Sequence, residues 1–234
     1  MKTKQAALTT TAMALVLGLG MAFAAGTAEA STIWVRDGNG GNAHNGGPGS
    51  VNLTINVNGT NTSVSAGAFA LQYSATNSPY VWTDFITYCL EPDEFLSVTA
   101  TPVVGDYQTT LSATSEYAGK AAALTQLYAT YFADSLTSAT KSAAFQVALW
   151  EVAYDSGNSL STGVFKFTTS GAVLTQAQAY LANWTSGAEP GVILRVGNQD
   201  LLMAPVPAPV PEPATLGLLG LGLLGLAAAR RRTA

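Results

Sequence analysis

Apolar and polar residues alternate along much of the first half of the chain, and this pattern predicts β-strands. In the clearest case, residues 51–57, valine, leucine and isoleucine occupy every second position, and Asn58-Gly59 follows as a turn. A glycine- and asparagine-rich stretch, residues 36–50, predicts a loop ahead of this strand. Further strands are predicted at 32–35, 67–73, 80–90 and 95–102.

The second half changes to helical spacing. Residues 116–132 are rich in alanine, leucine and tyrosine at that spacing, and 174–184 predict another helix. Between them, the run 143–155 carries one apolar stripe and predicts an amphipathic helix, with Thr137 or Ser138 as its N-cap. Short strands are predicted at 164–167 and 192–196.

This order of elements predicts an α+β fold. We expect an N-terminal antiparallel β-sheet or sandwich, then a helical segment of about three helices, and then a C-terminal strand. The domain is expected to span residues 31–204, flanked by a signal peptide and a C-terminal membrane segment.

The first 30 residues predict a secretory signal peptide. Lys2 and Lys4 precede an apolar run, and Ala28-Glu29-Ala30 forms an A-x-A cleavage site before Ser31. The remaining domain is therefore expected to be extracytoplasmic.

The C-terminal end predicts a spacer, a membrane segment and a basic tail. Alternating prolines in 205–213 favour an extended spacer. Residues 214–229 are continuously apolar; as a helix they span roughly 24 Å, less than the ~30 Å hydrocarbon core, so flanking arginines would snorkel. The tail, 230–234, is expected to lie in the cytoplasm by the positive-inside rule.

Charge excludes nucleic acid as a partner. Residues 31–213 contain five basic and thirteen acidic residues, a net charge of −8. Such an acidic domain does not bind nucleic acid or an anionic membrane surface.

Several kinds of catalytic and metal site are also disfavoured. The chain has one histidine, His44, which argues against Ser-His-Asp, Cys-His and histidine-zinc sites. Asp37 and Asn39 resemble the start of a calcium loop, but no acidic residue stands at its closing position, so a plain loop is predicted. We expect no metal and no cofactor.

Four carboxylates offer the groups that glycoside hydrolysis needs, but their spacing does not select that chemistry over a solvated loop. They are Asp84, Glu91, Asp93 and Glu94. We expect that the protein is not an enzyme.

Cys89 is the only cysteine, so an exported chain cannot use it for an internal disulfide. Gln146 shares a helix side with Trp150, which places its amide at the edge of the buried stripe. A buried amide needs hydrogen-bond partners or a chemical use. Either Cys89 provides that use, or Cys89 is a small buried hydrophobe, Gln146 binds backbone and Trp150 is core.

The tail resembles a PEP-CTERM sorting signal. It combines Val210-Pro211-Glu212-Pro213, a Gly/Leu-rich membrane segment and the cluster Arg230-Arg231-Arg232. The resemblance implies an exopolysaccharide-producing Gram-negative bacterium, in which an exosortase of the inner membrane recognises and cleaves the signal. The membrane anchor is then transient, and the protein ends at the outer surface or outside the cell.

The middle of the chain resembles the thioester domains of bacterial surface proteins. That family carries a Tyr-Cys-apolar element on a strand and a Gln-x-Ala-apolar-Trp element on a later helix, here Tyr88-Cys89-Leu90 and residues 146–150. Phe145 stands where the family often has threonine or another polar residue, and the best-known members are Gram-positive adhesins with a different wall signal. The resemblance implies a Cys89–Gln146 thioester with Tyr88 and Trp150 around it.

Two uses of such a bond stay open. A surface polysaccharide or protein amine can attack it, which attaches the protein through Gln146; alternatively it is a staple that closes a 57-residue loop, worth ~4 kcal/mol. Gln126 is an alternative partner for Cys89. Glu151 is either a proton acceptor or, more simply, an exposed helix carboxylate. The alternative hypothesis belongs to another functional class: the protein is a structural or carbohydrate-associated component of the exopolysaccharide or biofilm matrix and binds there non-covalently.

Overall fold

The computed structural model describes residues 31–155, 158–196 and 199–205. Within these residues lie nine strands and three α-helices. The strands are β1 (Ser31–Arg36), β2 (Ser50–Val57), β3 (Thr60–Gly67), β4 (Phe69–Ser74), β5 (Thr83–Cys89), β6 (Val103–Gln108), β7 (Phe165–Lys166), β8 (Gly191–Val196) and β9 (Gln199–Met203). The helices are α1 (Ala121–Ser135), α2 (Ala139–Tyr154) and α3 (Ala172–Ala182), and a short 3-10 helix, Leu111–Ala113, precedes α1.

Six strands close into an antiparallel barrel in the order β1-β4-β5-β9-β8-β6. Strand β6 pairs with both β1 and β8, and β9 pairs with both β5 and β8. The fold is therefore mostly β with three helices, and the predicted antiparallel sheet or sandwich is a sheet closed into a barrel. The difference arises from β6 and β9, two strands that the sequence pattern does not predict and that supply the closing pairs.

A second sheet, in the order β3-β2-β7, lies apart from the barrel. Strands β2 and β3 form a hairpin whose turn residues, Asn58 and Gly59, both have positive φ (52° and 85°), as a tight hairpin turn requires. The predicted alternation in β2 is confirmed, because Leu53, Ile55 and Val57 are buried. This hairpin contacts α2.

Helix α2 is buried on all sides. Ser138 caps its start by accepting a hydrogen bond from the Lys141 N–H, as predicted. Every residue from 142 to 152 is buried. The prediction of an amphipathic helix, with one exposed face, is therefore wrong. The reason is its position: α2 packs against α1, α3, the β2–β3 hairpin and β5.

Residues 95–102, predicted as a strand, belong to a loop without regular structure that runs from residue 90 to residue 102. Phe95 is 71% exposed, so the apolar residues that suggested a strand do not form one buried face. The strand begins after Pro102, at Val103, because proline has no N–H to donate to a sheet.

The predicted signal peptide, Pro-rich spacer beyond residue 205, membrane segment and basic tail lie outside the described residues. Within the part of the chain that the structure describes, no helix combines the length and the apolar character needed to cross a bilayer.

Gly105 allows β6 to close the barrel, and this gives a test of the barrel core. It lies opposite Ile33 in register, and a Cβ at this position would stand 2.5 Å from Ile193 Cγ2. We expect Gly105→Ala to lower the free energy of unfolding by about 1–3 kcal/mol through overpacking. Urea denaturation measures this, with Gly119→Ala as the control, because a Cβ there meets nothing within 4 Å. Equal stability of the two variants would contradict the barrel packing.

Candidate thioester site

The site lies at the end of β5, on a buried edge that no neighbouring strand pairs with. Cys89 is the last residue of β5 and lies opposite Leu201 of β9, and the next N–H, of Leu90, donates to the Asp200 carbonyl at 2.9 Å. Successive residues of a strand direct their peptide groups to opposite edges. The N–H and C=O of Cys89 therefore point toward β4, but the pairing of β4 with β5 ends at Phe69 and Thr87.

The side-chain amide of Gln146 occupies this edge. The Cys89 N–H donates to Gln146 Oε1 at 3.1 Å, and Gln146 Nε2 donates to the Cys89 carbonyl at 2.6 Å. Both residues are only 1% exposed. The amide replaces the missing strand and satisfies two buried backbone groups. The structure thus places the two predicted partners, 57 residues apart, in direct contact.

A stripe on α2 fixes the register of this contact. Ser142 and Trp150 lie one turn before and one turn after Gln146, on the same side of the helix. Ser142 Oγ accepts the Ala68 N–H at 2.8 Å and lies 3.2 Å from the Tyr88 hydroxyl. Tyr88 also shares a hydrogen bond with Ser135 of α1 at 2.8 Å. This hydroxyl network holds α2 along β5.

The sequence patterns identified Tyr88 and Trp150 but missed Ser142 and Ser135. The one available signal was the spacing of Ser142, four residues before Gln146. Ser135 gives no such signal, because it reaches Tyr88 from a different helix.

The Cys89 thiol is enclosed and protonated. Its Sγ donates to the Glu91 carbonyl at 3.1 Å, and the Glu91 N–H donates back to Sγ at 3.3 Å. Burial raises the pKa of the thiol to about 12, and the nearby indole of Trp150 offsets part of this rise. Trp150 Nε1 itself makes no hydrogen bond of normal geometry within the described residues.

A tight turn, residues 91–94, lies beside the thiol. Its ends are joined by a hydrogen bond from the Glu94 N–H to the Glu91 carbonyl at 3.3 Å, and Pro92 is buried. Gln199 Nε2 donates to the carbonyls of both Glu91 and Glu94. Tyr154, the last residue of α2, donates its hydroxyl to Asp93.

Three carboxylates cluster at the first residue of this turn. Oxygen atoms of Glu91, Glu116 and Asp200 lie within 4.8 Å of one another, beside a cavity of about 370 Å³. Burial, followed by the charge of Asp200, raises the pKa of Glu91 to about 7. The same two causes raise the pKa of Glu116. Negative charge on Glu91 and Asp200 also adds to the rise in the Cys89 pKa.

Glu151 differs from its prediction. It is 1% exposed rather than solvated, Oε1 accepts the Ser159 N–H at 2.9 Å, and Oε2 has no partner among the described residues. Burial raises its pKa to about 7. The Glu151 carboxylate therefore accepts a hydrogen bond from the loop after α2 rather than from the Cys89 thiol.

Two other sequence candidates lie away from the site. Gln126 is half-buried in α1 and lines a separate cavity, and no hydrogen bond between the described residues joins it to Cys89. The Asp37 carboxylate accepts hydrogen bonds from the N–H groups of Asn39 and Gly41, at 2.7 and 2.5 Å, which closes the loop on itself.

Comparison with known proteins identifies the C-terminal signal. Residues 209–232 match the family model of the PEP-CTERM protein-sorting motif, so the predicted signal is confirmed. The motif indicates an exported surface protein that an exosortase sorts. No curated protein and no solved structure matches the chain. The resemblance of the central domain to thioester domains accordingly has no support from a relative and depends on the residues of the site.

Glu151 predicts a pH dependence of stability. Its folded pKa of about 7 lies above its ordinary value of 4.5, so its neutral form favours the folded state. The stability that Glu151 contributes is fully present below about pH 4.5, and it is lost as the pH rises from there through 7. At about 1.4 kcal/mol per pKa unit, we expect a loss on the order of 1–3 kcal/mol for this residue.

Urea unfolding at pH 5 and pH 8 tests this dependence in the parent and in Glu151→Gln. The glutamine keeps an acceptor for Ser159 and carries no charge, so the variant should lose distinctly less stability between the two pH values. The same loss in both proteins would assign the pH dependence to other groups, such as Glu91.

Proposed function

We propose that this exported, exosortase-sorted protein forms an internal thioester between Cys89 Sγ and Gln146 Cδ, through which it attaches covalently to a surface partner. The observation that carries the proposal is the pair of hydrogen bonds between the Gln146 amide and the Cys89 backbone. These bonds hold the amide against the residue that bears the only thiol of the chain.

The first step is an acyl transfer within the chain. Sγ bonds to Cδ, the Cδ–Nε2 bond breaks, and the thiol proton leaves with the nitrogen as ammonia. The Cys89 N–H already donates to Oε1, where negative charge develops during the attack. Positioning by one fold supplies much of the barrier reduction. The raised thiol pKa opposes the step, but the reaction is needed only once per molecule.

The second step is attack by the partner. An amine or hydroxyl of a surface protein or polysaccharide bonds to Cδ and transfers its proton to the departing sulfur. This frees the Cys89 thiol and leaves an amide or ester on Gln146. Until then, burial of both residues excludes water from the thioester and protects it from hydrolysis.

A different observation supports the matrix role. An aromatic surface on the barrel exterior consists of Trp34, Tyr80 and Trp82 beside Arg36. Tyr80 stacks on Trp82 with ring centroids 4.9 Å apart, Trp34 meets Tyr80 edge-on at 6.2 Å, and the Arg36 guanidinium lies 4.1 Å from the Trp82 ring. Tyr80 is exposed and the other three side chains are half-buried, and accessible clusters of tryptophan, tyrosine and arginine are typical of contact surfaces.

The intact mass of the full chain tests the thioester. We expect a mass lower by one ammonia than the sequence requires, and a methylamine adduct on Gln146 after treatment. Cys89→Ser is the matched control, because it keeps both backbone hydrogen bonds to Gln146, undergoes the same processing at the chain ends, and removes the sulfur.

Full mass with a free thiol would contradict the thioester. A deficit that prolonged methylamine treatment leaves unchanged would contradict covalent attachment and favour a staple.

The aromatic surface has its own test. If it binds the exopolysaccharide matrix, Trp82→Ala should weaken retention of the protein on isolated matrix polysaccharide about tenfold, because the Arg36 and Tyr80 contacts are lost together. A sedimentation assay measures retention. Val81→Ala, at a neighbouring position that is 65% exposed, is the control. Unchanged retention of Trp82→Ala would contradict the matrix role of this surface.

A further inference from the structure

The loop that begins at the thioester site is long for a compact domain. Residues 90–102 connect β5 to β6 without regular structure. Loops of this length are uncommon and often serve as lids or binding segments. Its first part, the turn 91–94, places the backbone of Glu91 on the Cys89 sulfur.

The turn differs from the other walls of the site in how it is held. Cys89 and Gln146 belong to a strand and a helix whose backbones are fixed by regular hydrogen bonds. Outside contacts hold the turn through side chains: the Tyr154 hydroxyl donates to Asp93, the Gln199 amide donates to the carbonyls of Glu91 and Glu94, and the Glu91 carboxylate accepts the Asp200 N–H. Asp93 and Glu94 are exposed, so the outer surface of the turn faces solvent.

We propose that the turn 91–94 is a gate over the thioester, held shut by the Tyr154–Asp93, Gln199 and Glu91–Asp200 contacts. The inference rests on the proposed function, since a gate needs a bond to protect. An incoming nucleophile reaches Gln146 Cδ when these side-chain contacts break and the turn swings away from the sulfur. Neither β5 nor α2 has to move.

The strength of these contacts suits such a gate. A single side-chain hydrogen bond contributes modestly to stability, so its loss occurs by local fluctuation rather than by unfolding. Water and small amines are excluded most of the time, and a partner that binds near the loop stabilises the open form.

The test measures the rate of methylamine incorporation into Gln146 of the full chain, by intact mass against time. Tyr154→Phe removes only the hydroxyl, and Asp93→Ala removes its exposed acceptor. Each should react about three- to tenfold faster than the parent, the range for loss of one hydrogen bond. Because both variants break the same contact, the double variant should react no faster than either one.

Phe95→Ala is the matched control, because Phe95 lies in the same loop and is 71% exposed. It should react at the parental rate. Thermal midpoints of all variants should stay close to that of the parent, which separates gate opening from general loosening.

The outcomes distinguish the gate from the thioester itself. No ammonia deficit in the parent overturns the proposed function and the gate together. A deficit with equal rates in the parent, Tyr154→Phe and Asp93→Ala overturns the gate alone. Rate increases that multiply in the double variant would show that the two residues act separately, which also overturns it.

Discussion

The pairing of the Gln146 amide with the Cys89 backbone is the contact on which the rest of the site depends. It exists because the pairing of β4 with β5 ends at Thr87, two residues before the end of β5, which leaves the buried N–H and C=O of Cys89 without a strand partner. A buried backbone pair without partners would cost several kcal/mol, so a side-chain amide from α2 completes the sheet edge. This contact also sets the register of α2 along β5, because it places Ser142, one turn before Gln146, within hydrogen-bond distance of the Tyr88 hydroxyl.

The same burial has two opposite chemical effects. It raises the pKa of the Cys89 thiol to about 12, which slows attack on the amide. It also excludes water from a bond that, once formed, would otherwise hydrolyse. A site of this kind favours a single slow closure followed by long protection. The side-chain contacts of the turn 91–94 are the part of the enclosure that can open without breaking a strand or a helix.

The sequence predicted the elements that carry the site, because their patterns are local. The alternation in β2, the β-prone run ending at Cys89 and the helical spacing around Gln146 depend on neighbouring residues only. Closure of the barrel was not predictable in this way, since β9 is recognisable as a strand only from its pairing with β5 and β8. Burial of Glu151 likewise depends on the packing of distant elements around α2. The hydroxyl of Ser135 reaches the site from another helix.

A high-resolution crystal structure of the full chain, grown without added amines, tests the central claim most directly. The account predicts continuous electron density between Cys89 Sγ and Gln146 Cδ, with no atom at the position of Nε2 and with the Cys89 N–H still donating to Oε1. The account would be contradicted by separate density for a Cys89 thiol hydrogen-bonded to the Glu91 carbonyl, together with an intact Gln146 amide hydrogen-bonded to the N–H and C=O of Cys89. Gln146 would then serve only to complete the edge of the sheet.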